Sequence, residues 1–121
     1  MAKFHSSDGW LFVSLRLKGN NTLKEVISAG DILNHAIFSL EEINAGLSRL
    51  NASGLVKIEN KNIIVTSEGA LFFSQNNNAD EGCIEMQLRF SDIFSKKKIP
   101  CAVAYVDYFS VAEYSEACGK Y

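Results

Sequence analysis

The chain has 121 residues, of which 47% are hydrophobic and 21% are charged, a balance typical of one folded domain rather than a disordered segment. No apolar run reaches the roughly 18 residues that a membrane-spanning helix needs, so we expect no contact with a membrane. The formal net charge of −2 gives no support for a surface that binds nucleic acid, because such surfaces are basic.

The three cysteines, Cys83, Cys101 and Cys118, are widely spaced and form no Cys-x-x-Cys pair. An odd number of separated cysteines does not suggest a disulfide framework or a zinc site. The first residues also contain no apolar stretch of the kind found in a signal peptide. We therefore expect reduced, packed thiols in a cytoplasmic protein.

The first helix is predicted to begin at Ser7 or Asp8, either of which can cap it, and to end near Lys18. Its apolar residues fall on most sides of the helix, which indicates a buried position. The sequence Gly19-Asn20-Asn21 ends it, because glycine and asparagine tolerate the left-handed conformation of a helix C-terminus.

Two capping boxes predict the next two helices. Thr22 and Glu25 form the first box, and Ser39 and Glu42 form the second. Gly54 stands where a C-terminal glycine cap belongs. Two capped helices separated by a short turn indicate a helix-turn-helix. Their apolar stripes are Leu23, Val26, Ile27, Gly30 and Leu33 in the second helix, and Leu40, Ile43, Leu47 and Leu50 in the third.

Two segments rich in β-branched and aliphatic residues follow, 55–59 and 63–66, with Asn60-Lys61-Asn62 between them. This pattern predicts a β-hairpin with a short loop. Residues 67–73 then begin another short helix.

Three motifs in this region resemble the winged-helix superfamily: Leu47-Ser-Arg-Leu50, Gly54-Leu-Val56 and Val65-Thr-Ser-Glu-Gly69. The resemblance covers about residues 8–75 and implies three helices followed by a two-stranded wing. More loosely, residues 31–36 and the Glu-Tyr-x-x-Ala-x-x-x-Tyr pattern that ends the chain are similar to a group of small uncharacterised bacterial proteins. That second resemblance implies a bacterial origin and carries no activity.

Residues 83–96 allow two interpretations after a polar linker at 76–82. Ile84, Met86, Leu88 and Phe90 alternate like a strand, whereas Met86, Phe90, Ile93 and Phe94 fit a helix. The length favours the helix, and the three lysines at 96–98 suit the negative end of its dipole.

Residues 102–109 are predicted to be extended or a short strand, and Ser110 with Glu113 forms a third capping box that begins a last helix ending near Tyr121. We therefore predict a single α+β, mostly helical domain over residues 1–121. It consists of a winged-helix core at 8–75, the linker, and a mainly helical extension at 83–121.

The third helix is expected to carry the contact surface. At about 100° per residue, its apolar stripe faces the core, and the opposite side carries Glu41, Ala45, Ser48, Arg49 and Ala52, with Asn44 and Asn51 at its edge. In a winged helix the third helix and the wing contact DNA, and asparagine and arginine can read base edges. The residues predicted to contact DNA or a partner are Asn44, Ser48, Arg49, Lys57 and Lys61.

The charges of this predicted contact surface cancel. Residues 39–62 contain three basic and three acidic side chains, namely Arg49, Lys57, Lys61, Glu41, Glu42 and Glu59. Two of the acids stand at the helix N-terminus, where a phosphate would otherwise bind favourably. The small residues Ala45, Ser48 and Ala52 instead form a flat strip against which another helix could pack.

We predict a non-enzymatic protein without a cofactor or a metal ion. The sequence contains no glycine-rich phosphate-binding motif, and no further histidine or cysteine at ligand spacing joins the possible pair of Asp31 and His35. Protein contacts, above all self-association through apolar surface of residues 83–121, are the predicted activity. The aromatic residues of that segment could instead be core. The alternative function is a DNA-binding transcriptional regulator that uses the third helix and the wing.

Overall fold

The structure, a computed structural model, describes residues 2–16, 18–77, 82–99 and 102–119. Within these ranges the fold is α+β and largely helical, as predicted. Residues 78–81 of the predicted linker, Cys101 and the predicted end of the last helix lie outside the described residues. The elements in chain order are β1 (Ala2–Lys3), α1 (Ser6–Arg16), β2 (Asn20–Asn21), α2 (Leu23–Asn34), α3 (Leu40–Ala52), β3 (Val56–Glu59), β4 (Asn62–Val65), α4 (Ser67–Asn76), α5 (Cys83–Lys96), β5 (Lys98–Ile99) and α6 (Val111–Gly119).

Both predicted capping boxes are present at the starts of α2 and α3. Thr22 Oγ1 accepts a hydrogen bond from the Glu25 amide at 3.2 Å, and Glu25 Oε1 accepts one from the Thr22 amide at 2.9 Å. Ser39 and Glu42 form the same reciprocal pair, with distances of 3.0 and 2.8 Å. These bonds satisfy amides that a helix N-terminus leaves without partners and so fix where each helix begins.

Gly54 ends α3 as the sequence predicts. Its φ of 81° is left-handed, a conformation that favours glycine. The amides of Gly54 and Leu55 donate to the carbonyls of Asn51 and Leu50, which is the hydrogen-bond pattern of a Schellman motif. The chain therefore turns sharply from α3 into the hairpin.

The predicted hairpin is confirmed, and β2 adds a third strand that the sequence did not predict. β3 and β4 pair antiparallel, with Glu59 opposite Asn62. Asn60 and Lys61 form the two-residue turn, with φ values of 50° and 64° that match a type I′ turn. β2 pairs with the other edge of β4, which gives the strand order β2-β4-β3.

The N-terminal residues also form a strand that the sequence did not predict. β1 pairs antiparallel with β5, with Lys3 opposite Lys98. Phe4 follows β1, is only 7% exposed, and places its ring centroid 4.5 Å from that of Phe94. This pairing connects the start of α1 to the end of α5.

The helical interpretation of residues 83–96 is confirmed, and the strand alternative is wrong. α5 packs along α1 so closely that a Cβ atom on Gly9 would lie 2.5 Å from the backbone nitrogen of Ser91. The ring of Phe12 on α1 lies at the centre of an aromatic cluster formed with Phe72, Phe73, Phe90 and Phe94, at centroid distances of 5.6 to 6.4 Å.

The aromatic residues after position 83 were expected to form an association surface. This expectation is wrong for Phe90, Phe94 and Phe109. Phe90 and Phe94 are fully buried, and Phe109 is 2% exposed. They fill the space over α1 and α3, as the core-packing alternative requires, because that is where the C-terminal elements lie. Tyr105 is different, with 53% of its surface exposed.

No helix in the described ranges is long and apolar enough to cross a membrane.

Replacing Gly9 with alanine should destabilise the fold by forcing α1 and α5 apart. We expect the free energy of unfolding to fall by about 1–3 kcal/mol, which is the usual cost of overpacking and outweighs the gain in helix propensity. The measurement is urea denaturation followed by circular dichroism. Gly119→Ala is the control, because a Cβ atom there meets nothing within 4 Å. Equal midpoints for Gly9→Ala and the wild type would contradict the close helix contact.

Candidate interaction surface

The side of α3 predicted to face solvent is partly buried. Ile43 and Leu47 face the core and are fully buried, as predicted. Asn44 and Ser48, which were expected at or near the exposed side, are 0% and 4% exposed. The expected exposure of these two candidate residues is therefore wrong. A helical wheel assigns residues to sides of a helix but carries no information about a distant segment that covers one side.

The covering segment is residues 102–109, which we call the strap. It has no regular secondary structure and runs between β5 and α6. The sequence prediction allowed an extended segment or a short strand here, and residues 102–109 form no strand. The strap contacts the strip that Ala45 and Ser48 were predicted to offer to a helix, because the Val106 amide bonds to Ser48. Ala45, Ser48, Val103 and Tyr105 line a groove of about 180 Å³.

Asn44 holds the end of the strap with both ends of its side-chain amide. Its Nδ2 donates to the Phe109 carbonyl at 3.0 Å, and its Oδ1 accepts from the Phe109 amide at 3.1 Å. The side chain thus pairs with the backbone of one residue much as a neighbouring strand would. Because the site is buried, removal of either partner would leave polar groups without water or protein to bond.

Ser48 holds the middle of the strap. Its Oγ accepts a hydrogen bond from the Val106 amide at 3.0 Å and donates one to the Asn44 carbonyl at 2.8 Å. Asn44 and Ser48 are four residues apart and lie on the same side of α3. They therefore form two consecutive attachment points for the strap.

Arg49 is also engaged within the chain. Its Nε and Nη2 donate to the two carboxylate oxygens of Asp8 at 2.6 and 2.9 Å, in a bidentate pair. Asp8 is fully buried and accepts a further hydrogen bond from the His5 amide at 2.8 Å. Moving Arg49 onto an external phosphate or base would leave a buried carboxylate unpaired, at a cost of about 3–5 kcal/mol. Arg49 is thus held by Asp8, and its predicted contact with DNA or a partner stays a prediction.

The two lysines of the hairpin differ in their surroundings. Lys57 pairs with Glu59 at 3.1 Å, and both side chains are more than half exposed, so the pair contributes little stability. Lys61 donates to the Tyr108 carbonyl at 2.7 Å and lies 3.3 Å from Glu113. Lys61 therefore helps to hold the strap. Contact of Lys57 or Lys61 with DNA or a partner stays a prediction.

The predicted capping box at Ser110 is present and fixes the start of α6 beyond the strap. Glu113 accepts from the Ser110 amide at 2.8 Å, and the Ser110 hydroxyl accepts from the Glu113 amide at 3.1 Å. The hydrogen bond from the Ser110 amide, followed by that from Lys61, lowers the pKa of Glu113. The capping contact is therefore complete above the ordinary carboxyl pKa and weakens as the pH falls through the lowered value.

Tyr114 on α6 provides a further link, to the turn between α2 and α3. Its hydroxyl donates to the Phe38 carbonyl at 2.5 Å, in the turn between α2 and α3. Burial raises the pKa of Tyr114, and its contact with Cys118 raises it further. The strap is thus held at its far end by α6 as well as along α3.

The hydrogen bonds of the strap could not be read from the sequence. Asn44 and Phe109 are 65 residues apart, and a polar residue on a helix does not identify its partner.

A groove of about 470 Å³ lies where the hairpin turn, the start of α2 and α6 meet, and it carries charges of both signs from Lys24, Lys61 and Glu113. None of the predicted candidates other than Lys61 lines it.

No protein-family model, curated protein or solved structure matches the chain. The functional assignment therefore depends on the contacts and charges of the surface itself.

The substitution Asn44→Ala should release the strap from α3. Loss of the two hydrogen bonds to Phe109 should cost about 1–3 kcal/mol, and because proteolysis tracks the open population, cleavage within the strap should accelerate by about 5- to 150-fold. The measurement is native-state digestion with chymotrypsin, with cleavage after Tyr105 or Tyr108 identified by mass spectrometry. Asn34→Ala, at an exposed position of α2, is the control. Unchanged cleavage in Asn44→Ala would show that this contact does not hold the strap.

Proposed function

We propose that residues 8–75 form a winged helix-turn-helix and that the protein works through contacts with other protein chains, chiefly a second copy of itself, without catalysing a reaction. The order of elements supports the winged-helix part of this proposal. Three helices, α1 to α3, precede the β3–β4 hairpin, which is the arrangement that the sequence resemblance implies. The added strand β2 joins the hairpin to the segment between α1 and α2.

One observation carries the choice of protein contacts over DNA, namely that the strap lies on α3. A winged helix that reads DNA places this helix in the major groove, so its outward side chains must be free. Here Asn44 and Ser48 bond to the backbone of the strap. A base edge and the strap cannot occupy the same side of α3 at the same time.

The charges around α3 support the same choice. Arg49 is neutralised by Asp8, and Lys61 is engaged by Glu113. Glu41 and Glu42 stand in the first turn of α3, where the helix dipole would otherwise attract a phosphate. Phosphate contacts supply most of the affinity of DNA-binding proteins, and this face offers few cations to make them.

Exposed apolar side chains favour a protein partner. Large aliphatic residues that are more than half exposed occur on α2, α4, α5 and α6; they are Ile32, Leu71, Ile84, Leu88 and Val111. Single exposed residues of this kind are ordinary. Two of them, however, lie four residues apart on one helix, α5, and form a continuous strip.

The alternative function, a DNA-binding transcriptional regulator, requires that the strap leave α3. Lys57 is the observation in its favour, because it remains exposed on the hairpin. This alternative would need cations beyond Lys57 to give the usual affinity for a duplex.

Fluorescence anisotropy with a labelled mixed-sequence DNA duplex separates the two functions. We expect binding weaker than about 100 μM at physiological salt for the full chain. The double variant Asn44→Ala/Ser48→Ala loosens the strap. It should bind the duplex as weakly as the wild type, because it adds no positive charge. Saturable binding below about 1 μM that declines steeply with salt and is weakened by Lys57→Gln would overturn the proposal and support the regulator.

Sedimentation equilibrium tests the self-association itself. The full chain should give an average mass that rises with concentration toward that of a dimer. A monomer throughout the high micromolar range would contradict self-association.

A further inference from the structure

The outward side of α5 combines exposed apolar and charged residues. Phe90 and Phe94 bury the inner side of this helix against α1. Ile84 and Leu88 lie on the other side and are 66% and 63% exposed. At about 100° per residue, Ser95 lies on the same strip, between these two in angle. The strip is thus apolar in its first half and small and polar in its second.

Four charged residues follow the edge of this strip in alternating order. Glu85, Arg89, Asp92 and Lys96 are all exposed. Asp92 and Lys96 pair along the helix at 3.1 Å, and their side chains are 64% and 76% exposed. Read along the chain, the signs are negative, positive, negative, positive. Read backwards, every position carries the opposite sign.

This order is complementary to its own reverse. When two copies of α5 lie antiparallel with Glu85 opposite Lys96 of the second copy, Arg89 lies opposite Asp92 of the second copy. Every charge then faces its opposite, twice over because of the two-fold symmetry. A parallel, in-register pair would place each charge beside its own kind, which is destabilising.

The apolar strip fits the same antiparallel arrangement. Ile84 and Leu88 lie against the half of the second helix that carries Ser95. Large side chains therefore meet small ones, which allows two helices to approach closely. In this register Ser95 of one copy lies between Ile84 and Leu88 of the other.

We propose that two copies of the chain associate through antiparallel α5 helices in this register, with Glu85 paired to Lys96 and Arg89 to Asp92 across the interface. This inference rests on the self-association in the proposed function and names its surface. The proposed contact uses only the side of α5 that faces away from α1, and it does not include α3 or the strap.

A charge swap within one half of α5 tests the register. The variant Glu85→Lys/Arg89→Glu keeps the net charge and keeps opposite charges four residues apart on the helix. Across the proposed interface it places like charges opposite each other at all four positions. We expect the dissociation constant of the dimer, measured by sedimentation equilibrium, to rise by about tenfold or more.

The complete swap provides the matched rescue. Adding Asp92→Lys and Lys96→Glu restores opposite charges across the interface, so the fourfold variant should dimerise as tightly as the wild type. In an equal mixture with the wild type, native mass spectrometry should show the two pure dimers and few mixed ones, because mixed dimers bring like charges together. Free mixing at the statistical ratio would overturn the register.

The apolar strip is tested by Leu88→Ser, with Ile32→Ser as the control at an equally exposed position of α2. Leu88→Ser should weaken the dimer and Ile32→Ser should not, with both variants keeping the wild-type circular dichroism spectrum. If the wild type dimerises but the half swap and Leu88→Ser have no effect, the α5 interface is wrong while self-association stands. A wild-type monomer over the same range would instead overturn the proposed function.

Discussion

The side-chain amide of Asn44 and the backbone of Phe109 form the contact on which the placement of the strap over α3 depends. Two hydrogen bonds, of 3.0 and 3.1 Å, are buried between α3 and the strap. Their burial makes them specific, because an unpaired amide or carbonyl there would have no water to bond. Phe109 itself packs into the core at the point where the strap ends, and Ser110, which caps α6, follows it directly.

α3 and α5 therefore differ in what they present to a partner. On α3 the strap covers Asn44 and Ser48, and Asp8 holds Arg49, so the side chains best suited to reading DNA are all engaged within the chain. On α5 the inner side is fixed by its close approach to α1, and the outer side keeps its apolar strip and its alternating charges. This difference between α3 and α5 supports the proposed function.

The sequence predicted local structure well, because caps and turns depend on residues a few positions apart. The boxes at Thr22, Ser39 and Ser110, the glycine end of α3 and the hairpin are all present. It failed where partners are distant. The two-residue strands β1, β2 and β5 carry no periodicity, and the placement of Asn44 at the edge of an exposed side did not take the strap into account. The pairing of Arg49 was missed for the same reason, since Asp8 is 41 residues away. The winged-helix assignment and the function stay proposals.

Amide hydrogen exchange in the wild-type chain tests most directly whether the strap occupies α3. The amides of Val106 and Phe109 donate to Ser48 and Asn44, so both should exchange far more slowly than in an unfolded chain. Protection of Phe109 should be lost in Asn44→Ala while the amides of α1 stay protected. Exchange of both strap amides at the rate of an unfolded chain in the wild type would contradict the account, because α3 would then be open to DNA.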